Sequence, residues 1–271
     1  MNVKMLATHG YMTIDYPRAM RAAVEESMRD WQNFCRSPQV TKNLFKVGDR
    51  HIDGGYVDRR DEGTDAEQKE YFHVSKDRMP HLMKIAAACG MPAFIKHLDT
   101  LLSETTPVVL DCARAIGQEF NMPKLHALAE QGRNAWTFRF LHYIGAVQKG
   151  LLAKPHIDRK EMSLHLCETH TGAQYLTRDL QWKPLDVDAG KTVLFPSAGL
   201  QHHSGGRLKA LCHQVVADNV TDGEDRYSMV LFADFLPDVE FLPQQKWEEP
   251  HPPGFNYTMP QKKFVQMFVS H

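Results

Sequence analysis

The sequence predicts a mainly β fold, a sandwich or barrel, with helices ahead of it and flanking it. Three observations lead there. After Asn134, short runs rich in Phe, Leu, Val and Tyr alternate with turn residues at regular intervals, the pattern of an antiparallel unit rather than of alternating β and α segments. Before Asn134, apolar residues recur at spacings of three and four, which is helical periodicity. At 271 residues the chain can bury a substantial core without disulfide or metal staples.

In chain order, Pro17 opens a helix behind Asp15 or Tyr16, and Met20, Val24, Met28, Trp31 and Cys35 give that helix one apolar stripe. The Gly- and Asp-rich segment from Gly48 to Glu67, containing Gly54-Gly55-Tyr56, reads as loop with room for one strand. A second helical stretch covers Pro80 to Leu102 with a break near Gly90-Met91-Pro92. A third starts after Thr105-Thr106-Pro107 and carries Val109, Leu110, Ala113 and Ile116. Strands are expected near 135–143, 162–168, 173–177, 192–196, 210–217 and 227–235. Turns fall at Gly172, Asp179, Asp188-Ala189-Gly190, Gly205-Gly206 and Asp222-Gly223. Prolines 243, 250, 252, 253 and 260 make the tail a surface wrap that ends in a short element at Lys262–Phe268. The whole reads as a single domain, 1–271: helical support and lid over 1–133, β core over 134–240, wrapping tail over 241–271.

Composition excludes several classes. A net charge of −1 leaves no basic footprint for nucleic acid. The longest uncharged stretch, between Lys191 and Arg207, is too short for a membrane span and contains Pro196. Residues 1–15 carry charge where a signal peptide needs an apolar run. Cys35, Cys89, Cys112, Cys167 and Cys212 are odd in number, widely spaced and without C-x-x-C, which points to reduced thiols in a cytoplasmic protein. The expected partner is a small molecule, with no nucleic acid and no membrane; oligomeric state is open.

Fifteen histidines hint at metal chemistry, and three H-x-D triplets occur, where about one arises by chance. His97-Leu98-Asp99 sits in a helical pattern, in which positions i and i+2 diverge. His51-Ile52-Asp53 sits in loop with no partner at a matching spacing. His156-Ile157-Asp158 borders the β region, where i and i+2 face the same way and one ion meets both side chains. His213, 55 residues beyond Asp158, supplies a third ligand from another strand. Two imidazoles and one carboxylate suit non-haem Fe(II), because they leave positions open for a cosubstrate and O₂. Taken singly, His156 also reads as a turn residue and His213 as a core histidine. In Arg226-Tyr227-Ser228, Arg226 and Ser228 share one strand face, a good clamp for a terminal carboxylate. The alternative is an ion pair of Arg226 with Glu224, Asp225 or Asp234. His202 and His203 read as a solvated pair.

Over about residues 137–235 the sequence resembles the Fe(II)- and 2-oxoglutarate-dependent oxygenases, in the branch related to isopenicillin N synthase. Thr137 to Tyr143 resembles the strand before the metal motif, and His156-Ile157-Asp158 matches its H-x-D. Gly172-Ala173-Gln174-Tyr175 and Gln181-Trp182-Lys183-Pro184-Leu185 resemble the hairpin that follows. Ser204 to Val215 resembles the segment around the distal histidine, and Arg226-Tyr227-Ser228 matches R-x-S. Gly54-Gly55-Tyr56 with Lys69-Glu70-Tyr71-Phe72 extends a weaker similarity into the N-terminal region. Gln214 departs from the family's usual Arg, and Leu141 stands where many plant relatives carry Asn.

The resemblance implies a double-stranded β-helix (jelly roll). Fe(II) would bind His156, Asp158 and His213, the catalytic residues. The far carboxylate of 2-oxoglutarate would sit on Arg226 and Ser228, with Tyr143 a further contact, and O₂ would complete the set. It implies oxidation of a C–H bond of a small molecule with release of succinate and CO₂, leaving open hydroxylation, desaturation or ring closure. Arg139 shares a face with Leu141 and Tyr143 and reads as a substrate-carboxylate anchor or a structural ion pair. Arg50 and Tyr56, in the lid segment, are further substrate candidates. Two rival readings remain at this point: an Fe(II) oxidase of the same branch that uses no 2-oxoglutarate, and a non-catalytic jelly-roll metal- or ligand-binding protein.

Overall fold

The computed structural model describes residues 1–46, 54–60, 69–90, 92–145, 150–185, 190–217 and 224–235. Eight strands build the centre: β4 (Thr137–Tyr143), β5 (Leu151–His156), β6 (Met162–Glu168), β7 (Ala173–Leu176), β8 (Trp182–Pro184), β9 (Lys191–Pro196), β10 (His213–Val216) and β11 (Arg226–Ala233). They distribute between two antiparallel sheets. One contains the run β9-β6-β11-β4 and the other is β5-β10-β7-β8. The chain therefore crosses from sheet to sheet between most successive strands, which is the double Greek key of a jelly roll. The expected strands are all present, within a few residues of their expected ends.

Three strands from the N-terminal region widen the first sheet to seven, where the sequence left room for one, in the Gly48–Glu67 segment. They are β1 (Met12–Asp15), β2 (Gly55–Asp58) and β3 (Lys69–Val74), in the order β1-β9-β6-β11-β4-β3-β2. β1 pairs with β9 at one edge; the β2–β3 hairpin extends β4 at the other. Each is four to six residues long, too short to show alternation against its surroundings.

The outer face of this sheet is covered by helices. Helix α2 (Arg18–Cys35) buries Met20, Ala23, Val24, Met28, Trp31 and Phe34, the expected stripe with Phe34 in place of Cys35. Trp31 stacks with Phe34, meets Phe72 and Phe140, and donates its indole N–H to the Leu141 carbonyl at 3.1 Å. Helix α4 (Met79–Cys89) ends on Gly90 at φ +79°, a left-handed cap that glycine adopts without steric cost. Helix α5 then runs unbroken from Pro92 to Glu119, through Pro107. The expected boundary at Thr105–Pro107 is thus overridden, although proline inside a helix costs about 3 kcal/mol. Burial of Leu98, Leu101, Leu102 before the proline and Val109, Cys112, Ala113 and Ile116 after it holds both halves on one core. The short helices α1 (Met5–Thr8), α3 (Gln39–Asn43), α6 (Leu125–Gly132) and α7 (Ala198–His203) complete the described chain. Among the described residues no helix is long and apolar enough to cross a membrane. Arg50 and the tail beyond Phe235, including Lys262–Phe268, lie outside the described residues.

His202 and His203 are not the solvated pair expected from sequence. Both sit buried on α7, with His203 Nε2 3.0 Å from Glu161 Oε1, and Glu161 accepts from the Phe235 N–H at 2.6 Å. Behind the sheet, buried Glu70 forms a second polar centre. It accepts hydrogen bonds from His142 Nδ1 at 2.7 Å, Lys42 Nζ at 2.6 Å and the Tyr56 hydroxyl. Burial pushes the Glu70 carboxyl up, but these three donors and the Lys42 charge outweigh it and hold the group at about 2, against an ordinary 4.5. Its contribution to stability is therefore complete above pH 4.5 and is lost as pH falls toward 2, by on the order of 3 kcal/mol. Denaturant unfolding measured from pH 7 to 2 should show that loss in the native protein and a flatter profile in Glu70→Gln. At pH 7 the variant should be weaker by about 3–5 kcal/mol, because Lys42 is left buried and unpaired. Parallel profiles for the two proteins would remove Glu70 from the account.

Candidate active site

The two sheets enclose a cavity of about 280 Å³. Its first wall is the inner face of β3, β4, β6, β9 and β11; its second is β5, β7 and β10. Antiparallel pairing of β10 with β5 sets His213 directly opposite His156, with ring centroids 4.3 Å apart. Asp158 follows two residues after His156 and reaches back between them. His156 Nε2 lies 3.8 Å from Asp158 Oδ1, and His213 Nε2 lies 3.9 Å from Asp158 Oδ2. The ligating atoms of all three lie within 4.8 Å of one another.

The surroundings of these groups prepare them to hold a cation. His156 Nδ1 lies 2.7 Å from the Lys154 carbonyl and His213 Nδ1 lies 3.1 Å from the Leu211 carbonyl. A carbonyl only accepts, so each Nδ1 carries the proton and each Nε2 presents its lone pair to the centre. Burial first, and then the neighbouring His213, hold the His156 imidazole below its ordinary value, in the neutral form a metal requires. Asp158, only 8 % exposed, accepts a 2.5 Å hydrogen bond from Ser163 Oγ, which in turn meets Ser197 Oγ at 2.9 Å. The donor set, two oriented imidazoles and an oriented carboxylate, fits a divalent first-row metal with positions left open.

Across the cavity, residues on neighbouring strands form rows. Arg226 of β11 lies opposite Tyr143 of β4, which lies opposite Lys69 of β3. The next row is Ser228, Leu141 and Tyr71; the next is Val230, Arg139 and His73. Arg226 is 1 % exposed. Its Nη1 points to Ser228 Oγ at 3.4 Å, its Nε donates to the His170 carbonyl at 3.1 Å, and its guanidinium lies 5.4 Å from the Tyr143 ring centre. Its Nη2 pairs with Glu168, not with Glu224, Asp225 or Asp234. Arg139 and Tyr143 line the cavity, as do Ser228, His156, Asp158 and His213. Tyr56 does not. It faces the helix layer, where its hydroxyl meets Glu70 and its ring packs on Phe34, while its neighbour Val57 takes the cavity side. Strand alternation turns the two residues of β2 to opposite faces.

Sequence reading missed Lys69, His165 and Glu168. His165 shares the inner face of β6 with Ser163, and that alternation was available as a signal. Glu168, at odd spacing from His165, was not legible. The register of β6 on β11 shifts between Met229 and Val230, so a bulge at Leu166 turns Glu168 to the same face as His165. Tyr16 donates its hydroxyl to the Leu166 carbonyl, which stabilises the bulge. Burial, helped by the Arg226 charge, pulls the His165 imidazole down to about 3, so it is neutral at ordinary pH. Burial raises the Glu168 carboxyl, and Arg226 opposes that only in part. A second group that meets ligand spacing, Cys35, Glu70 and His142, is the ion cluster behind the sheet. There the Lys42 ammonium and the Tyr56 hydroxyl already occupy the carboxylate.

The architecture is that of the 2OG-Fe(II) oxygenases. A protein from Caulobacter crescentus assigned to that family superposes with a TM-score of 0.77 at 21 % identity, over 98 % of this chain and 91 % of that one. A full-length Neurospora crassa protein, in complex with alpha-KG, gives 0.76 at 15 % identity over 98 % and 89 %. The rice dioxygenase for auxin oxidation gives 0.70 at 17 % identity over 98 % and 90 %. No protein-family model matches the sequence, and no curated protein is significantly similar to it.

Because Ser163 fixes the orientation of Asp158, Ser163→Ala should weaken divalent-metal binding about 10- to 100-fold. Anaerobic titration with Co(II), followed by its visible absorption, measures this; an unchanged affinity would show that Asp158 is oriented without Ser163.

Proposed function

We propose that this protein is a non-haem Fe(II)- and 2-oxoglutarate-dependent dioxygenase that oxidises a C–H bond of a small molecule and releases succinate and CO₂. The observation that carries this reading is the convergence of two imidazoles and a carboxylate within 4.8 Å, between the sheets of an oxygenase-type jelly roll. Fe(II) held by His156, Asp158 and His213 would supply O₂ activation coupled to oxidative decarboxylation of 2-oxoglutarate. The rest is the work of the chain. The backbone carbonyls at Lys154 and Leu211 fix the histidine tautomers, and Ser163 fixes the carboxylate. Arg226 Nη1, Ser228 and Tyr143 receive the far carboxylate of the cosubstrate, with Glu168 holding the rest of the guanidinium fork. Leu141, Phe195, Val215 and Phe232 line the cavity and keep water from the reacting centre.

Solved structures of this fold include complexes of the Neurospora crassa protein with alpha-KG and thymine or 5-formyluracil, and JOX2 with 2OG, Fe and JA. These support a small-molecule substrate here. We place the enzyme in the cytoplasm, on its reduced, scattered cysteines. We also read it as one domain, with 1–133 as support and lid, 134–240 as catalytic core and 241–271 as wrapping tail.

Anaerobic addition of Fe(II) and 2-oxoglutarate should give the weak visible band of the chelate. Asp158→Ala and His213→Ala should each abolish stoichiometric Fe(II) binding. Arg226→Gln should weaken 2-oxoglutarate binding roughly 10- to 150-fold while leaving Fe(II) affinity without cosubstrate nearly unchanged. Because Arg226→Gln also strands Glu168, Ser228→Ala serves as the milder variant, with a loss of about 3- to 10-fold. A protein that binds Fe(II) but shows no chelate band and no succinate release is not a 2-oxoglutarate-dependent dioxygenase.

A further inference from the structure

Beside Arg226 and Ser228 lies a buried carboxyl whose bonding is incomplete. Glu168 of β6 stands directly opposite Ser228 of β11, and its side chain is buried against the Arg226 guanidinium. Its Oε2 pairs with Arg226 Nη2 and lies 3.4 Å from His165 Nε2. Among the described residues, neither Glu168 Oε1 nor His165 Nε2 has a hydrogen-bond partner. The His165 ring bonds the Cys167 backbone, a contact that favours the protonated ring and is therefore made to the carbonyl. The nitrogen left over, Nε2, is then an acceptor. A carboxylate also only accepts, so two buried acceptors face each other, and each bond left unmade there is costly. A single proton between them would satisfy both.

On the proposed function a second carboxylate comes to the same guanidinium. Ser228 and Tyr143 line the cavity, and Arg226 reaches both, 3.4 Å from Ser228 Oγ and 5.4 Å from the Tyr143 ring centre. Before binding, Arg226 and Glu168 balance one another. With the far carboxylate of the cosubstrate in place, two buried carboxylates share one cation, and a proton on one of them relieves the repulsion. The surrounding groups leave Glu168 as its place. Arg226 of β11 stays charged. On β6, burial pushes the Cys167 thiol up and keeps it neutral, and burial, helped by Arg226, holds His165 at about 3. Asp158 and His213 act on His165 from the metal site. Tyr143 of β4 and, 5.7 Å from its ring centre, the Lys69 ammonium of β3 lie beyond Arg226. The His170 ring turns away to Glu224, at 3.5 Å. Burial already raises the Glu168 carboxyl.

We propose, resting on the dioxygenase reading, that Glu168 is a positioning residue that takes up a proton from solvent as 2-oxoglutarate binds. The new O–H donates to His165 Nε2, and the other Glu168 oxygen keeps Arg226 Nη2 as a neutral acceptor. The far carboxylate of the cosubstrate becomes the counter-ion of Arg226, and no other bond is made or broken. Before binding, Glu168 spares Arg226 from being an unpaired buried cation; on binding it gives up its charge and keeps the guanidinium in place. Because binding raises the proton affinity of Glu168, 2-oxoglutarate affinity is fully present where free Glu168 is already protonated. It falls as pH rises above that range.

The experiment uses the full chain loaded anaerobically with Fe(II). It compares 2-oxoglutarate with 2-oxopentanoate, which has a methyl group in place of the far carboxylate. Calorimetry in buffers of different ionisation enthalpy counts the protons taken up with each. Both acids offer the metal the same keto-acid end, so the difference belongs to the far carboxylate. 2-Oxoglutarate should take up about one proton more than 2-oxopentanoate, and its affinity should fall about tenfold per pH unit between roughly pH 7 and 8.5. Glu168→Gln should abolish the extra proton and flatten the pH profile to within about twofold. His165→Leu, which removes the acceptor, should weaken 2-oxoglutarate about 3- to 10-fold more than 2-oxopentanoate. The proposal is overturned if the native protein takes up equal numbers of protons with the two acids, if Glu168→Gln keeps the difference, or if His165→Leu weakens both acids alike. The native proton count needs no variant, so it decides even where a variant fails to fold. Failure of the dioxygenase reading is a different result: neither acid then gives the chelate band, and the proposal falls with that reading.

Discussion

The pairing of β10 with β5 is the constraint on which the site depends. His213 sits opposite His156, and register shifts further along the same pair, at Val215 and Val216, pin that alignment. A slip of one residue would turn every side chain of β10 to the other face, so His213 would leave the cavity altogether. The two backbone carbonyls that orient the imidazoles belong to Lys154 and Leu211, each two residues before its histidine. The same strand geometry therefore sets both the position and the tautomer of each imidazole, and only Asp158 needs a separate support, from Ser163 on the opposite sheet.

The large sheet serves two chemistries through its two faces. On β4 the inner face carries Arg139, Leu141 and Tyr143, and the outer face carries Phe138, Phe140 and His142. On β11, Arg226 and Ser228 look inward, while Tyr227 looks outward and stacks on His142 at 4.3 Å. The outer face is bound to the helix layer by Trp31, whose indole reaches the Leu141 carbonyl, and by the Lys42–Glu70–His142 cluster. The strand that presents Arg226 and Ser228 is therefore backed by packed helices rather than by solvent. Ionised groups occur on both sides of the sheet, each with partners: Glu70 with three donors behind it, Arg226 with Glu168 in front. Buried pairs of this kind add little net stability, but removal of either member leaves an uncompensated charge. They fix orientation more than they strengthen the fold.

Several features were legible because they depend on local period. Alternation located the core strands, put Arg226 and Ser228 together and Tyr227 apart, and made His156 and Asp158 neighbours in space. Their convergence with His213 had to be inferred across a gap of 55 residues, and a resemblance to known motifs supplied that link. The helical stripe of α2 was equally visible, since its spacing repeats over about five turns.

What the sequence by itself determined, then, is whatever repeats along the chain: strand faces, helix faces, and the residue types able to hold a metal and a carboxylate. Tertiary structure decided the rest, where long-range contact outweighs local preference. The bulge at Leu166, capped by the Tyr16 hydroxyl, breaks the period of β6 and delivers Glu168 to Arg226. Pro107 stays inside α5 because apolar residues on both sides of it share one core. Tyr56 faces the helices and Lys69 the cavity because the β2–β3 hairpin takes its register from β4. His202 and His203 are buried because α7 packs them beside Glu161, which lies 42 positions before His203 in the chain. Each depends on pairing between distant segments, and pairing is a property of the folded chain that local composition does not carry.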